Sequence, residues 1–322
     1  MRISGNFLYL FVFSSLLVCF DSHMAKAAGR QKIVILDSGH DPVVNGDSKS
    51  AGAVGTCGQF EVEYNDAATT EIDKSISADR AYSTILTRQP GKSVEISDSL
   101  KPDLHKYLSP AALARLEKSP NLIGRSAIAN AAHCDALISV HHDSTLDEAQ
   151  EGEPNCQKDP KTQKIQPGIR LKDDFKKKYK VGYSVLIYED DKNDPKRVKD
   201  SKKLAAHIAF RIKSQLNRTP SDYHGKDGDC LNSNGTPDCR DINPELGIIH
   251  KDVAVLRETR CPAVLVEVGN IADGGPGGDE RKINNPAFRA GLAKAIKKGL
   301  DDYFNSKRRS EPARPETDHK QN

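Results

Sequence analysis

The stretch Ala136–Ser144 reads ALISVHHDS. Its first part, Ala136 to Val140, is a short, largely apolar run, and continuous rather than alternating apolar character marks a strand covered on both faces. Two histidines and an aspartate follow at once, so this strand ends in residues that can do chemistry. Such a strand needs neighbours of its own kind. Lys32–Asp37 (KIVILD), Ser83–Arg88 (STILTR), Gly182–Tyr188 (GYSVLIY) and Ala263–Val268 (AVLVEV) supply them. Helical spacing of apolar residues runs through Glu61–Asp79, Ile123–His133, Ser201–Leu216 and Pro286–Phe304. Strands alternating with helices predict an α/β fold around a largely parallel sheet.

Two further runs end as the first one does. Ile33–Asp37 leads into Ser38-Gly39-His40, and Ala263–Val266 leads into Glu267-Val268-Gly269-Asn270. Open α/β sheets build their sites at the carboxyl ends of strands. If these runs are neighbouring parallel strands, His40, His141 and Glu267 converge. Imidazole and carboxylate are good zinc ligands, and a catalytic zinc keeps a position free for water. A third ligand can come from Glu61 or Glu63, in the first turn of a helix, where carboxylates are favoured. The competing reading makes both glutamates solvated charges. Glu267 within an apolar strand is costly unless it has a partner or a task.

Taken together, DSGH (Asp37–His40), the glutamates of Glu61–Asn65, LTR (Leu86–Arg88), GRSAIAN (Gly124–Asn130), ALISVHHDS and PAVLVEVGN (Pro262–Asn270) resemble the zinc-dependent N-acetylmuramoyl-L-alanine amidases of the Amidase_3 type. The resemblance extends from about Lys32 to Phe304. It implies a single α/β domain with a twisted, mostly parallel but mixed sheet of roughly six strands flanked by helices. It implies one Zn2+ held by His40, Glu61 and His141, with Glu63 as the fallback for Glu61, and Glu267 as the catalytic glutamate. It implies peptidoglycan as substrate and hydrolysis of the bond between the lactyl group of N-acetylmuramic acid and L-alanine. His142 and Asn270 are candidates for substrate contact, and His142 alternatively supports its neighbours from the other strand face. Arg88 and Arg125 are expected to brace sheet and helix through ion pairs. The alternatives are another exported zinc amide hydrolase or peptidase, and a non-catalytic peptidoglycan-binding regulator on the same fold.

The chain of 322 residues carries a formal charge of only +3, which, without a basic stripe, argues against a nucleic-acid partner. Arg2, the apolar run Phe7–Phe20 and the small-x-small site Ala25-Lys26-Ala27 predict a signal peptide over residues 1–27. That run is too short for a stable membrane span. The mature chain is expected outside the cytoplasm, in a periplasm, with secretion as the alternative. Residues 28–305 are expected to form the catalytic domain. Polar insertions fall at about 145–180, a possible lid, and 219–246, and a disordered tail at 306–322. Cys230 and Cys239 flank a Gly/Asn/Pro loop and are the expected disulfide pair. No CxxC occurs, which argues against a structural zinc knuckle. Asp227, Asp229, Asn232 and Asn234 fail the calcium-loop pattern at Leu231. His105, His133, His207, His224 and His250 lack ligand spacing. A regulatory protein partner is left open, with no feature to identify one.

Overall fold

The computed structural model describes residues 30–43, 50–55, 58–143, 157–158, 165–166, 182–221, 239–272 and 278–310. In chain order they form β1 (Lys32–Ser38), α1 (Glu61–Ser77), β2 (Tyr82–Leu86), α2 (Leu104–Tyr107), α3 (Pro110–Leu116), α4 (Pro120–Ala131) and β3 (Ala136–Asp143). A two-residue antiparallel ribbon follows, β4 (Gln157–Lys158) and β5 (Ile165–Gln166). Then come β6 (Ser184–Ile187), α5 (Pro195–Leu216), β7 (Cys239–Asn243), β8 (Ile248–Lys251), α6 (Ala254–Glu258), β9 (Ala263–Asn270), α7 (Asp279–Asn284) and α8 (Pro286–Ser310).

Seven strands make the main sheet, in the order β2-β1-β3-β9-β6-β8-β7. The first four run parallel. β6 lies antiparallel to β9, β8 parallel to β6, and β7 antiparallel to β8. The mixed, mostly parallel sheet is as expected, with seven strands instead of about six. The additional edge strand, β7, is CRDIN, drawn from the stretch assigned to an insertion. It is polar and half-exposed, as an edge strand can be, so it carries no apolar run to announce it.

The strand period of two splits the core into layers. Val34, Leu36, Ile138, Val140, Val264 and Val266 face a large cluster with Ile72 of α1, Leu204 and Ile208 of α5, and Ile296 and Leu300 of α8. Ile35, Leu137 and Leu265 face the opposite way, against Ala129 of α4 and Val255 and Leu256 of α6. Both faces of the central strands are therefore covered, which is why their sequences do not alternate. Each such fully buried aliphatic side chain is worth about 1.5–3 kcal/mol.

A disulfide joins Cys134 to Cys261, with 5.7 Å between Cα atoms. The two residues stand just before the paired strands β3 and β9 and fasten their amino ends. Cys239 is also disulfide-bonded, and its expected partner Cys230 lies outside the described residues. So do residues 1–27, His224, Asp227, Asp229, Asn232, Asn234 and nearly all of the 145–180 insertion. Helix α8 continues to Ser310, five residues into the stretch expected to be a disordered tail.

Candidate metal centre and active site

The first ligand sits on a turn that polar contacts hold in place. After β1 the chain bends, and His40 adopts φ 61°, the left-handed region that non-glycine residues seldom occupy. Two buried arginines fix it. Arg88 Nε donates to the carbonyls of Ser38 at 3.0 Å and His40 at 2.8 Å, and Nη2 to that of Gly39 at 3.2 Å. Arg125, from α4, donates to the carbonyl of Ser38 at 2.6 Å, to that of His40, and to the carboxylates of Asp37 and Asp41. Burial pushes the Asp37 carboxyl up, but Arg125 and hydrogen bonds from Ser139 and Thr87 leave it below the usual range. The arginines thus do more than brace helix and sheet: they set the ligand-bearing turn. Gly39 is required there, since a Cβ would stand 2.2 Å from His141 Nε2.

Helix α1 delivers the carboxylate. Glu63 accepts the Phe60 N–H at 3.1 Å, closing the helix start as a capping box does, and it faces solvent. Glu61 turns inward and is 5% exposed. Its Oε2 lies 2.9 Å from His40 Nε2 and its Oε1 3.0 Å from His141 Nδ1. The N–H groups of Ala53 and His142 donate to the same carboxylate at 3.2 and 3.1 Å. Burial raises the Glu61 pKa, yet the hydrogen bonds and charges of the two histidines hold it well below the ordinary value. Of the two candidate glutamates, Glu61 is the one brought to the histidines.

Strand β3 presents successive histidines to opposite faces. His141 points to the Glu61 side, and its ring centroid is 4.9 Å from that of His40. Burial lowers its pKa, against the pull of Glu61. His142 is 1% exposed, with Nδ1 2.7 Å from Asn65 Oδ1. Burial drives its pKa down to about 3. The residue lies among those around the smaller cleft, with its ring held against Asn65.

Glu267 pairs in register with His141 across β3 and β9. The residue is partly exposed, while its Oε2 is sealed and has no hydrogen-bond partner. Burial, then the negative charges of Asp143 and Glu61, raise its pKa well above the ordinary carboxylate value, opposed by Lys251. Asn270 is the buried last residue of β9, and its Oδ1 accepts the Ala272 N–H at 2.8 Å. It shapes that turn and does not line the clefts at the site. Two such clefts, of about 280 and 360 Å3, meet at His40, His141 and Val253. Glu267, Asp143 and Lys251 line the smaller; Lys118, Leu122 and Arg125 line the larger.

One ligand atom from each of His40, Glu61 and His141 lies within 4.8 Å of the other two. Two imidazoles and a carboxylate, all reached from one side, fit a catalytic zinc with an open position. The sequence did not single out Asn65 as a support, though it lies one helical turn after Glu61, where i and i+4 side chains meet. Ala53 and Lys251 left no signal. His250 is buried at the far side of the sheet, accepting the Glu189 N–H at 3.0 Å.

Comparisons with known proteins identify the family and the fold. The family model Amidase_3, described as N-acetylmuramoyl-L-alanine amidase, matches residues 34–302. The crystal structure of N-acetylmuramoyl-L-alanine amidase from Clostridium difficile 630 is similar at 19% identity, covering 87% of this chain and all 100% of that one, with a TM-score of 0.50. Ami1 from Mycobacterium smegmatis is similar at 18% identity, 85% and 97% coverage and a TM-score of 0.52. The CwlD amidase from Clostridioides difficile, solved in complex with the GerS lipoprotein, gives 17%, 86%, 100% and 0.52. At these identities the structures speak for the fold. No curated protein matches the chain.

Proposed function

This chain belongs to the Amidase_3 family of N-acetylmuramoyl-L-alanine amidases, and from that premise we propose that His40, Glu61 and His141 hold one zinc ion and that Glu267 moves the protons of the reaction. The activity itself follows from the family: the chain is a peptidoglycan amidase, an enzyme that hydrolyses the amide between the muramic lactyl group and L-alanine. The observation that carries the site assignment is the gathering of the three ligand atoms within 4.8 Å, beside the register pair of His141 and Glu267.

When bound, zinc supplies Lewis acidity at the scissile carbonyl, acidifies water, and lowers the Glu267 pKa toward a usable range through its charge. The protein does the rest. Glu61 and the two histidines would hold the ion, with Glu61 supported by the Ala53 and His142 N–H groups and the His40 turn by Arg88. Glu267 accepts a proton from the water that adds to the lactyl carbonyl carbon. As the C–N bond breaks, it returns that proton to the alanine nitrogen. Glu267 is partly exposed and lines the smaller cleft beside His40 and His141, where that water would stand.

Family members are typically exported, and among the described residues no helix is long and apolar enough to cross a membrane. In the proposed setting residues 1–27 direct export, and residues 28–305 act on the wall from the periplasm. The test is metal analysis of the purified protein with product analysis of digested peptidoglycan. One zinc per chain and stem peptides with a new L-alanine amino terminus are expected, and Glu267→Gln abolishes their release. A zinc-free enzyme of full activity, or an unaffected Glu267→Gln variant, overturns the assignment. Cleavage within the peptide instead points to a peptidase.

A further inference from the structure

Asn65 is fully buried one helical turn beyond Glu61. Its Nδ2 lies 3.1 Å from the Gly39 carbonyl and 3.3 Å from Glu61 Oε1. Both neighbours only accept, so the nitrogen of the amide must face them and the oxygen must face away. That oxygen lies 2.7 Å from His142 Nδ1, which therefore carries the proton and donates it. The consequence falls on the other ring nitrogen: Nε2 is a bare lone pair, buried and without a partner, with the Tyr64 ring centroid 5.9 Å from its own. A histidine placed only to fill the core gains nothing from this arrangement. It leaves one nitrogen unpaired while committing the other to a single acceptor.

The acceptor explains the choice. Asn65 touches both the carboxylate ligand and the turn that carries His40, and the His142 N–H holds the same amide from its oxygen side. Resting on the reading that His40, Glu61 and His141 bind zinc, we propose that His142 and Asn65 are a positioning pair, in which the His142 ring orients the Asn65 amide and the amide orients Glu61 toward the metal. The main-chain N–H of His142 also donates to Glu61 Oε1, at 3.1 Å. That contact survives replacement of the ring, so a side-chain variant reports the relay alone.

The experiment is a double-mutant cycle read as zinc affinity, by competition with a chromophoric chelator, and as the visible spectrum of the cobalt-substituted protein. His142→Phe is expected to weaken zinc binding about 10–100-fold, the usual effect of losing a partner behind a metal ligand, and to shift the cobalt spectrum. In the Asn65→Ala background the same change costs less than about twofold, because the relay is already cut. His142→Gln keeps a neutral donor and retains affinity within about threefold. If His142→Phe does not fold, His142→Met takes its place in the cycle, and melting of the metal-free proteins checks each variant. The proposal is overturned if the apolar variant binds zinc like the parent, or if its penalty is the same in both backgrounds. If the parent itself binds no zinc, the metal assignment has failed instead.

Discussion

The two ends of the β3–β9 pair are held by opposite means. At the amino ends a covalent bond joins Cys134 to Cys261, and apolar side chains such as Leu137, Ala263 and Leu265 pack around it. At the carboxyl ends the register shifts between His141 and Asp143. There the turn at His40 occupies an unfavourable backbone region, and Glu267 keeps a sealed oxygen without a partner. Each of these features costs stability, and each is concentrated where the chemistry is. The difference teaches that the sheet is fastened at one end and kept polar and costly at the other.

The largest effect expected at the polar end is from metal removal. A chelator should take amidase activity to background, and added zinc should restore it; the thermal midpoint should fall with the ligand, since only the folded state holds it. Glu267→Gln comes next. Turnover should drop about 10²–10⁴-fold with zinc content unchanged. Because folding raises the Glu267 pKa, its carboxylate disfavours the folded state at neutral pH. The metal-free variant should therefore melt no lower than the parent, as calorimetry can check.

The turn itself is tested by Arg125→Met. Asp37 is then left buried without its cation, at a cost of about 3–5 kcal/mol in denaturant unfolding. Adding Asp37→Asn should recover part of that. The same pair has a pH signature. The folded-state pKa of Asp37 is lowered, so its contribution is present above the unfolded value of about 3.9 and is lost as pH falls through the folded one. Asp37→Asn should flatten stability in that acid window. The smallest effect on catalysis is expected at the fastened end. Replacing Cys134 and Cys261 by serine should cost about 2–4 kcal/mol of stability and leave turnover at 25 °C within about twofold. A tenfold loss of turnover would show that the two ends are not independent.

Much of this was legible in the sequence, for a physical reason. Strands buried on both faces declare themselves as apolar runs, and a polar residue just past such a run stands at the sheet edge. That rule alone brings His40, His141 and Glu267 to one sheet edge. The edge strand β7 was not legible, because CRDIN has no apolar face to bury. The resemblance favours Glu61, four residues before Asn65, over Glu63; capping gives the physical reason, since Glu63 is used by the helix start. The Cys134–Cys261 bond could have been inferred one step later. Once β3 and β9 are neighbours with Leu137 opposite Ala263, the cysteines just before them come together. The arginine clamp on the His40 turn is not legible in the sequence, because most of its targets are main-chain carbonyl groups, which every residue carries.

The antiparallel turn of direction at β6 has a consequence for how such an enzyme can change. Ser184, the first residue of β6, pairs with Glu267, and β3 ends at Asp143, opposite Asn270. The chain that leaves one strand and the chain that enters the other thus share a single rim, that of the reaction. A substitution at that rim meets Glu267 or Asn270 directly, while the far ends of β3 and β9 stay joined through Cys134 and Cys261.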